Sequence, residues 1–354
     1  MFYNTYNKST NKGRNFFLLF LFFPQRVFFY IEKHLFWIGC LFFSVWSGLS
    51  CKAQESYAFL GVPYATKNTS LSSRVISDMH DTYLLDYFVN PAVNSQSDTQ
   101  KLGVSYTNYI ADIQHGMLAY QHSIKNQNIH TALQYMNYGT FQGYDIEGNP
   151  VGEFSASDTV FKIGTSFGLG ILPKERFRIG VNVSTFYSVY EQYNALGTFA
   201  TLGISYCLST KRHQFGFVCD RVGFLWNRYT ENSQSIIPVF SLGYTYQFTR
   251  IPLKVHATFQ DVVWFSRYSG GYSFWDTFRL AMVLFPDKKF SILAGYHPIL
   301  QENLRVASQT VKSSVGWSFG LQLRLKRTLL ECGYASMHQA SNNLTFGIQF
   351  ALSQ

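Results

Sequence analysis

From about residue 100 onward, apolar and polar residues alternate along the chain with a period of two. The alternating runs are about ten residues long, and Gly, Asn, Asp and Pro occur between them. A period of two predicts β-strands with one apolar face, and about 9–11 residues let a tilted strand cross a membrane. The pattern predicts fourteen strands, at residues 101–109, 113–123, 129–137, 159–170, 176–188, 198–209, 214–223, 239–249, 253–262, 277–285, 290–297, 313–325, 329–336 and 343–352.

The connections between the predicted strands alternate between short and long. Short basic connections, such as 210–213 and 326–328, alternate with longer aromatic or polar ones, such as 138–158 and 263–276. Outer-membrane barrels have short turns on one side and longer loops on the other. We therefore expect an all-β fold, a 14-stranded antiparallel transmembrane β-barrel in the cell outer membrane. Because the strand number is even, we expect both chain termini on the periplasmic side.

Two of the predicted strands illustrate which face meets lipid. Large apolar residues occupy every second position, and small or polar residues lie between them. In a closed barrel every backbone polar group finds a partner, so the apolar set can face hydrocarbon. The residues assigned to lipid in the twelfth and fourteenth strands are Val315, Trp317, Phe319, Leu321, Leu323, Leu325, Leu344, Phe346, Ile348 and Phe350.

The first 53 residues have the pattern of an export signal. An apolar run at 35–50 follows Lys33 and precedes Cys51-Lys52-Ala53. A charged region, an apolar core and a small-residue site predict a secretory signal cut after Ala53. A membrane anchor and a lipoprotein cleavage before Cys51 are the alternatives.

Residues 54–100 lack the period of two. They contain Asp86 and, shortly after it, the tripeptide Asn90-Pro91-Ala92 among aromatic residues. We interpret them as an N-terminal periplasmic segment that enters or plugs the barrel lumen, with a mobile periplasmic tail as the alternative. The expected organisation is a leader at 1–53, this plug at 54–100 and the barrel at 101–354.

The composition agrees with a barrel. Aromatic residues make up 18% of the 354 residues and charged residues only 14%, against about 25% charged in ordinary soluble proteins. This excludes a disordered chain and a coiled coil, and a mean hydropathy near zero excludes a bundle of membrane-spanning helices. The net charge is +9, but the leader contributes +5 of it, because it contains six basic residues and one acid, Glu32. The rest of the chain carries only +4 and has no basic stripe, so we expect no nucleic acid partner.

The sequence contains only weak matches to catalytic and metal-binding motifs. Two segments match the hydrolase pattern G-x-S-x-G, around Ser166 and Ser318. That chemistry needs a strand-to-helix turn, whereas both segments lie within predicted strands. The eight histidines after the leader form no ligand pattern. We expect no enzyme activity, metal or cofactor, and an acyl-hydrolase is kept as an alternative because Ser–His pairs are spatial rather than sequential.

Two further motifs have ordinary explanations. Asp145-Ile146-Glu147-Gly148-Asn149-Pro150 has some of the residues of a calcium loop, but it lacks the alternating spacing and the distal Glu. We interpret it as the turn of a long hairpin. Cys207, Cys219 and Cys332 remain after the leader, and their spacing predicts neither a disulfide framework nor a zinc site. The pairing of these cysteines stays open.

The long connections are rich in Tyr, Trp, Phe and Arg, above all residues 264–276. Tyr, Trp and Arg are enriched at protein interfaces. The same side chains form the aromatic girdles of membrane proteins, so both interpretations remain open.

Several segments carry a resemblance to known families. The tripeptide Asn90-Pro91-Ala92, placed before fourteen strands, resembles the fatty-acid-transporter-like (FadL-like) barrels. Residues 56–60, 105–113, 134–139 and 152–158 look more specifically like the PorQ family, barrels of the type IX secretion system. A departure is Thr66-Lys67-Asn68-Thr69-Ser70, where the family has a stretch of small residues.

The resemblance implies a non-enzymatic anchor. In the attachment complex of the type IX system, a PorQ-like barrel holds the surface protein PorZ beside PorU and PorV, so the implied partners are PorZ-, PorU- and PorV-like proteins and outer-membrane lipid. The alternative is a FadL-like transporter of hydrophobic small molecules, which a kinked strand or lateral opening next to 86–92 would favour. The loops 138–158 and 263–276 are expected to bind the partner, through Tyr144, Phe154, Trp264, Phe265, Arg267, Tyr268, Tyr272, Phe274 and Trp275.

Overall fold

The computed structural model describes ten stretches of the chain that cover the barrel wall and the segment before it. They are residues 57–80, 83–93, 100–124, 127–168, 177–208, 212–231, 236–260, 277–298, 314–336 and 342–352. The predicted leader and the predicted loop 263–276 lie outside these stretches.

Fourteen antiparallel strands form a closed barrel, in which each strand pairs with its neighbours in sequence and the first pairs with the last. This confirms the predicted fold and strand number. The strands are β1 (Lys101–Asn108), β2 (Gln114–Ile124), β3 (Gln127–Tyr144), β4 (Pro150–Gly168), β5 (Phe177–Tyr190), β6 (Tyr193–Cys207), β7 (His213–Asn227), β8 (Val239–Gln247), β9 (Leu253–Phe259), β10 (Phe278–Leu284), β11 (Phe290–Tyr296), β12 (Trp317–Arg324), β13 (Thr328–Ala335) and β14 (Asn343–Ala351).

The predicted loop 138–158 is mostly strand, which corrects the sequence analysis. β3 and β4 continue pairing to a tight turn at 145–149. A bulge between Asn137 and Thr140 shifts the register, and Gly139 there has a φ of +83°, which glycine adopts without strain. Because the bulge adds a residue to one strand, the period of two is broken at that point, and the sequence pattern reads as a loop.

The two faces of the wall differ as predicted. In β12 and β14 the outward side chains are exposed and large, among them Trp317, Phe319, Leu344 and Phe346, while the residues between them are buried. An apolar outer surface on a closed barrel suits lipid. Val315 is an exception to the assignment, because β12 begins at Trp317 and Val315 is fully buried.

The N-terminal segment lies against the inward faces of the strands. It consists of 3₁₀ turns at Ala58–Gly61, Leu84–Phe88 and Pro91–Val93 and of one short helix, α1 (Thr66–Ser70), whose residues are all buried. We call the described residues 57–80 and 83–93 the plug. Within the described part of the chain, no helix is both long and apolar enough to span a membrane.

The plug runs through the lumen from one end to the other. We call the end with the β3–β4 and β5–β6 connections the loop end and the opposite end the turn end. Tyr57 lies toward the loop end, with its ring against Phe186 and Tyr229. The Leu84 amide donates a hydrogen bond to the Gln349 side chain near the turn end, where β1 begins and β14 ends. Tyr57 and the start of β1 therefore lie toward opposite ends, and the periplasmic assignment of both chain termini stays a prediction.

Candidate functional site at the seam between plug and wall

A buried group of charges joins the plug to one side of the wall. In the plug, Lys67 Nζ lies 2.6 Å from Asp86 and 3.8 Å from Asp78. Asp78 also pairs with Lys254 of β9 at 2.9 Å, and the exposed fraction of the Asp78 side chain is only 2%. Among the described residues, two cations and two carboxylates balance each other, as buried charges normally do. This group fixes the centre of the plug to β9.

On the same side, the plug backbone lies directly on the strands. A Cβ atom at Gly295 of β11 would overlap the backbone of Leu71, and one at Gly320 of β12 would overlap the Ser70 side chain. Glycine is therefore required at these inward positions for steric reasons. The contact leaves no space for a ligand between α1 and this part of the wall.

The plug motif that the sequence analysis identified has a structural role. Asp86 binds Lys67, and the Asn90 side-chain amide donates to the Ile76 carbonyl (2.5 Å) and to Ser205 Oγ of β6 (3.0 Å). Asn90 Oδ1 also accepts the Ala92 amide at 3.0 Å, and Pro91 lies against Gly180 of β5. These contacts hold the C-terminal part of the plug at the turn end.

A different arrangement occurs at β7. Leu202 pairs with Cys219 and Ala200 with Val222, so Asp220 and Arg221 together face the single residue between Ala200 and Leu202 on β6. This is a β-bulge, and Arg221 has a φ of +62°. Left-handed backbone at a residue other than glycine is strained and is concentrated at functional sites. The bulge therefore interrupts the hydrogen-bond ladder of the wall at Asp220 and Arg221.

Asp220 links the bulge to the plug. Its carboxylate accepts hydrogen bonds from Thr201 Oγ1 (2.6 Å) and from the Arg221 amide (2.9 Å), and it pairs with Arg74 of the plug at 3.3 Å. Arg74 also donates to the carbonyls of Leu60 and Gly61. We call Arg74, Thr201, Asp220 and Arg221 the latch. The side chains of Arg74 and Asp220 are each 16% exposed, so this pair is more solvated than the pair of Asp78 and Lys254.

A small cavity of about 20 Å³ lies beside the latch, between plug and wall. Apolar side chains of Phe88, Val89 and Phe199 line it together with polar groups that include Lys162 of β4. The Lys162 ammonium lies over the ring of Tyr64, 4.1 Å from its centre. Burial raises the pKa of Tyr64 well above its usual range, so the phenol stays neutral. The cavity has room for about one water molecule, which is too small for an organic ligand.

Above the cavity, toward the loop end, hydroxyl groups surround a buried carboxylate. Tyr138 donates to Asp158 at 2.5 Å, and Ser188 bonds both Asp158 and Tyr229. Burial raises the pKa of Tyr229 to about 12. Tyr57 stacks on Tyr229 and contacts Phe186, so the start of the plug is held in an aromatic cluster.

The extended hairpin of β3 and β4 carries two of the predicted partner-binding residues. Tyr144 is 64% exposed beside the turn. Phe154 packs between Phe141 at 5.4 Å and Tyr190 at 5.5 Å. The other predicted partner-binding residues lie outside the described residues: Trp264, Phe265, Arg267, Tyr268, Tyr272, Phe274 and Trp275.

Sequence reasoning missed the latch and the cavity. Asp220 and Lys162 are charged residues in strands whose other inward positions are small or polar, and Asp220-Arg221 breaks the alternation of β7. A charged residue in a barrel strand, together with a break in the period of two, was the sequence signal that could have indicated this site. It does not identify Arg74 as the partner, because the plug has no period that places its side chains.

The weaker motifs have structural explanations. The Ser318 hydroxyl donates a hydrogen bond to the Ser70 carbonyl and accepts one from the Ser72 hydroxyl. The Ser166 hydroxyl accepts a hydrogen bond from Arg178 at 2.6 Å. Both serines lie within strands rather than at a strand-to-helix turn.

The calcium-loop-like segment and the cysteines also have structural explanations. Asp145 closes the hairpin turn, and the hydrogen bond that its carboxylate accepts from the Asn149 amide lowers the pKa of Asp145. The three cysteines after the leader are free thiols. Among the described residues, no group of three or more His, Cys, Asp or Glu side chains could hold a metal ion.

No protein-family model matches the chain, and no curated protein matches it in sequence. Solved structures do match its fold. The toluene transporter TodX of Pseudomonas putida superposes with a TM-score of 0.50 at 11% identity, over 81% of this chain and 98% of that one. The deltaS2 mutant of the TodX monoaromatic hydrocarbon channel gives a TM-score of 0.52 at 12% identity, with coverages of 81% and 98%. This likeness concerns the fold, and it agrees with the broader of the two resemblances, to FadL-like barrels.

Proposed function

We propose that this protein is an outer-membrane barrel that admits small hydrophobic molecules, and that they pass at the seam between the plug and β7. The observation that supports this most directly is the bulge at Asp220 and Arg221. It interrupts the wall beside Phe88 and Val89 of the plug, which line the cavity next to it. A kinked strand next to residues 86–92 is a feature that favours the transporter hypothesis, and a β-bulge bends the strand that carries it. The fold is similar to that of hydrocarbon channels, although fold alone does not imply function.

The two sides of the plug suggest where it separates from the wall. Breaking the buried pair of Asp78 and Lys254 would leave uncompensated charges, at a cost of about 3–5 kcal/mol. The side chains of Arg74 and Asp220 are each 16% exposed, so water reaches this pair more easily and separating it costs less than separating Asp78 from Lys254. The seam at β7 is therefore the part of the contact that opens at the lowest cost. Apolar side chains on both sides of it would meet the passing molecule.

Uptake by intact cells tests this proposal. The barrel would be expressed in Gram-negative cells that lack their own hydrophobic uptake barrel, and entry of radiolabelled toluene would be measured. We expect uptake above that of cells without the barrel. Asp220→Asn should increase it, because the latch is weakened. Asp287→Asn, which changes an exposed turn residue, is the control and should leave uptake unchanged. Uptake equal to that of cells without the barrel, at equal outer-membrane levels, contradicts the proposal.

A second candidate function is the anchor of a surface protein in a type IX attachment complex. The hairpin of β3 and β4 supports it, because Phe141, Tyr144 and Phe154 form an aromatic surface beyond the rim of the barrel. Exposed apolar patches of this kind are typical of protein interfaces. The sequence segments that resemble the PorQ family support the same role.

Co-purification distinguishes the two functions. Tagged barrel would be isolated from gently solubilised outer membranes, and its companions identified by mass spectrometry. The anchor function predicts PorZ-, PorU- and PorV-like proteins, and their loss after deletion of 138–158 together with 263–276. A partner that stays bound to the folded barrel after both deletions contradicts this function. A barrel that carries only lipid favours the transporter.

A further inference from the structure

The two ends of the barrel carry opposite charge. Four connections at the turn end contain seven Lys or Arg and only one acid; they are residues 208–212, 248–252, 285–289 and 325–327. At the loop end, the described residues between the strands hold five acids and one Lys or Arg, Arg228. Six cations of the turn end lie in the described part of the chain, and all are exposed. We call these six the basic rim: Arg212, Arg250, Lys288, Lys289, Lys326 and Arg327.

Backbone hydrogen bonds hold the basic rim in a row along the edge of the wall. The Arg212 carbonyl accepts a hydrogen bond from the Gln247 amide at 3.0 Å, and the Lys289 carbonyl accepts one from the Arg324 amide at 2.6 Å. Each of these bonds ties a turn to the neighbouring strand. Between the first and the last of the four turns there are six strand spacings of about 4.8 Å, so the row is about 30 Å long.

The charge of the basic rim is available to a partner. In the part of the chain that the structure describes, none of its six side chains forms an ion pair. Asp287, the acid in these four turns, accepts a hydrogen bond from the Gln247 side chain at 3.0 Å. The edge of the wall is therefore strongly positive over its whole length, and an anionic partner would be attracted to it.

The basic rim borders the apolar outer surface of the barrel. Phe285 and Phe290 enclose the two lysines of one turn, and the cations of the next turn directly follow Leu325. All three apolar side chains are exposed, and Leu325 continues the outward row of β12. Aromatic and long basic side chains at the end of an apolar surface are typical of the level of lipid headgroups, where the stem of a lysine lies on apolar groups and its ammonium reaches water.

We propose that the basic rim binds the headgroups of anionic phospholipids in the leaflet that surrounds the turn end. With the predicted orientation, this is the periplasmic leaflet of the outer membrane. The headgroup phosphates would contact the cations, while the acyl chains would lie along Phe290 and Leu325. Continuity with the apolar outer surface favours lipid over an acidic protein, because headgroups follow the curved edge of the wall at this level. The site depends neither on the passage at β7 nor on the anchor function.

Electron paramagnetic resonance of spin-labelled lipids tests this binding on the full barrel. The barrel would be reconstituted in phosphatidylcholine vesicles that contain a trace of spin-labelled phosphatidylglycerol or phosphatidylcholine, and the motionally restricted fraction measured. We expect phosphatidylglycerol to associate about fivefold more strongly, as one cation near an anionic headgroup provides. In 1 M salt, where the Debye length is about 3 Å, the preference should largely disappear. An excess of free inorganic phosphate at constant ionic strength should not displace the labelled lipid.

A set of variants assigns the preference to the rim. Replacement of Lys288, Lys289, Lys326 and Arg327 by Gln should bring the association of phosphatidylglycerol down to that of phosphatidylcholine. The matched control keeps the charges and changes the side chains: Lys288→Arg, Lys289→Arg, Lys326→Arg and Arg327→Lys should retain the preference. A second control adds four substitutions at the loop end to the Gln variant, which restores the net charge and should leave the preference lost: Asp112→Asn, Glu147→Gln, Glu191→Gln and Glu231→Gln.

Three results overturn the proposal. Equal association of the two lipids with the wild type would leave the rim to an acidic protein instead. A preference that persists in the Gln variant would place the lipid elsewhere on the barrel. Displacement by inorganic phosphate would show a site for free phosphate rather than for lipid. Should the Gln variant fail to fold, the salt series on the wild type decides, because a preference unchanged in 1 M salt does not come from exposed charges.

Discussion

Two groups of neighbouring strands in the barrel wall differ in length. Strands β3 to β7 are 14–19 residues long, whereas β8 to β14 are 7–9 residues long. At about 3.3 Å per residue, a strand of β3's length spans about 60 Å, twice the roughly 30 Å of a hydrocarbon core. We call β3 to β7 the tall wall and β8 to β14 the low wall. The described strands of the low wall reach at most the roughly 9–11 residues that a tilted strand needs to cross the hydrocarbon core, whereas those of the tall wall exceed that length.

The two walls also hold the plug in different ways. The low wall meets α1 through glycines and binds Asp78 through the buried Lys254. The tall wall also lies directly on the plug near the turn end, where Cβ atoms at Gly180 and Gly216 would overlap Pro91 and Ile76. Farther toward the loop end it meets the plug at its bulge, through the partly solvated latch and a cavity. The low wall thus forms a tight seal with the plug, whereas the tall wall combines equally close contact near the turn end with a weaker seam at the bulge. The difference is the basis of the proposal that the plug is held mainly by the low wall and separates from the tall wall at the bulge.

The largest expected effect is on the low wall. Asp78→Asn leaves Lys254 without its partner and Lys67 with one carboxylate instead of two. The free energy of unfolding should fall by about 3–5 kcal/mol, because an uncompensated buried charge remains. Chemical unfolding followed by tryptophan fluorescence measures this. Asp287→Asn is the control and should stay within about 0.5 kcal/mol of the wild type. A loss for Asp78→Asn as small as the control's would show that the low wall does not hold the plug.

A smaller loss is expected where the plug backbone lies on glycine. Gly295→Ala places a methyl group against the Leu71 backbone and should cost about 1–3 kcal/mol, as overpacking does. Limited proteolysis should then cut the plug faster. Gly116→Ala is the matched control, since its Cβ would meet only the Ser105 carbonyl, at an ordinary 3.7 Å. Equal proteolysis of the two variants would argue against the tight seal.

On the tall wall the same kind of charge removal should matter less for stability. Asp220→Asn should lower the free energy of unfolding by about 1–3 kcal/mol, less than Asp78→Asn, because its pair with Arg74 is more exposed than the pair of Asp78 and Lys254. Measured beside Asp78→Asn under the same conditions, it ranks the two contacts. A cost equal to or above that of Asp78→Asn reverses the comparison of the two walls.

The smallest effect on stability is expected at the projecting hairpin. Tyr144→Ala removes an exposed ring at the tip and should change the free energy of unfolding by less than about 0.5 kcal/mol. If the hairpin is a docking surface, the same variant should weaken the co-purification of a surface partner. The outward-facing Phe215→Ala on β7 is the matched exposed aromatic and should leave co-purification unchanged. Equal co-purification for both variants removes Tyr144 from the docking surface.

The wall was largely predictable from the sequence, and the plug was not. Side chains such as those of Trp317 and Phe319 point outward because a strand fixes every second residue to one face. The bulges at Gly139 and Asp220 break that rule. The alternation therefore predicts a loop in place of the hairpin of β3 and β4, and it does not predict the latch. The plug side chains are placed by contacts far away in the chain, such as the one between Arg74 and Asp220, and no local pattern encodes them.

The central claim is that hydrophobic molecules enter where the plug meets the tall wall. Its most direct test compares uptake with either seam locked by a short, reducible crosslinker, in a background without Cys207, Cys219 and Cys332. One variant carries cysteines in place of Arg74 and Asp220, and the other in place of Asp78 and Lys254. The account predicts that locking 74 to 220 abolishes toluene uptake, that reduction restores it, and that locking 78 to 254 leaves it intact. Uptake that continues with the first seam locked would contradict the account.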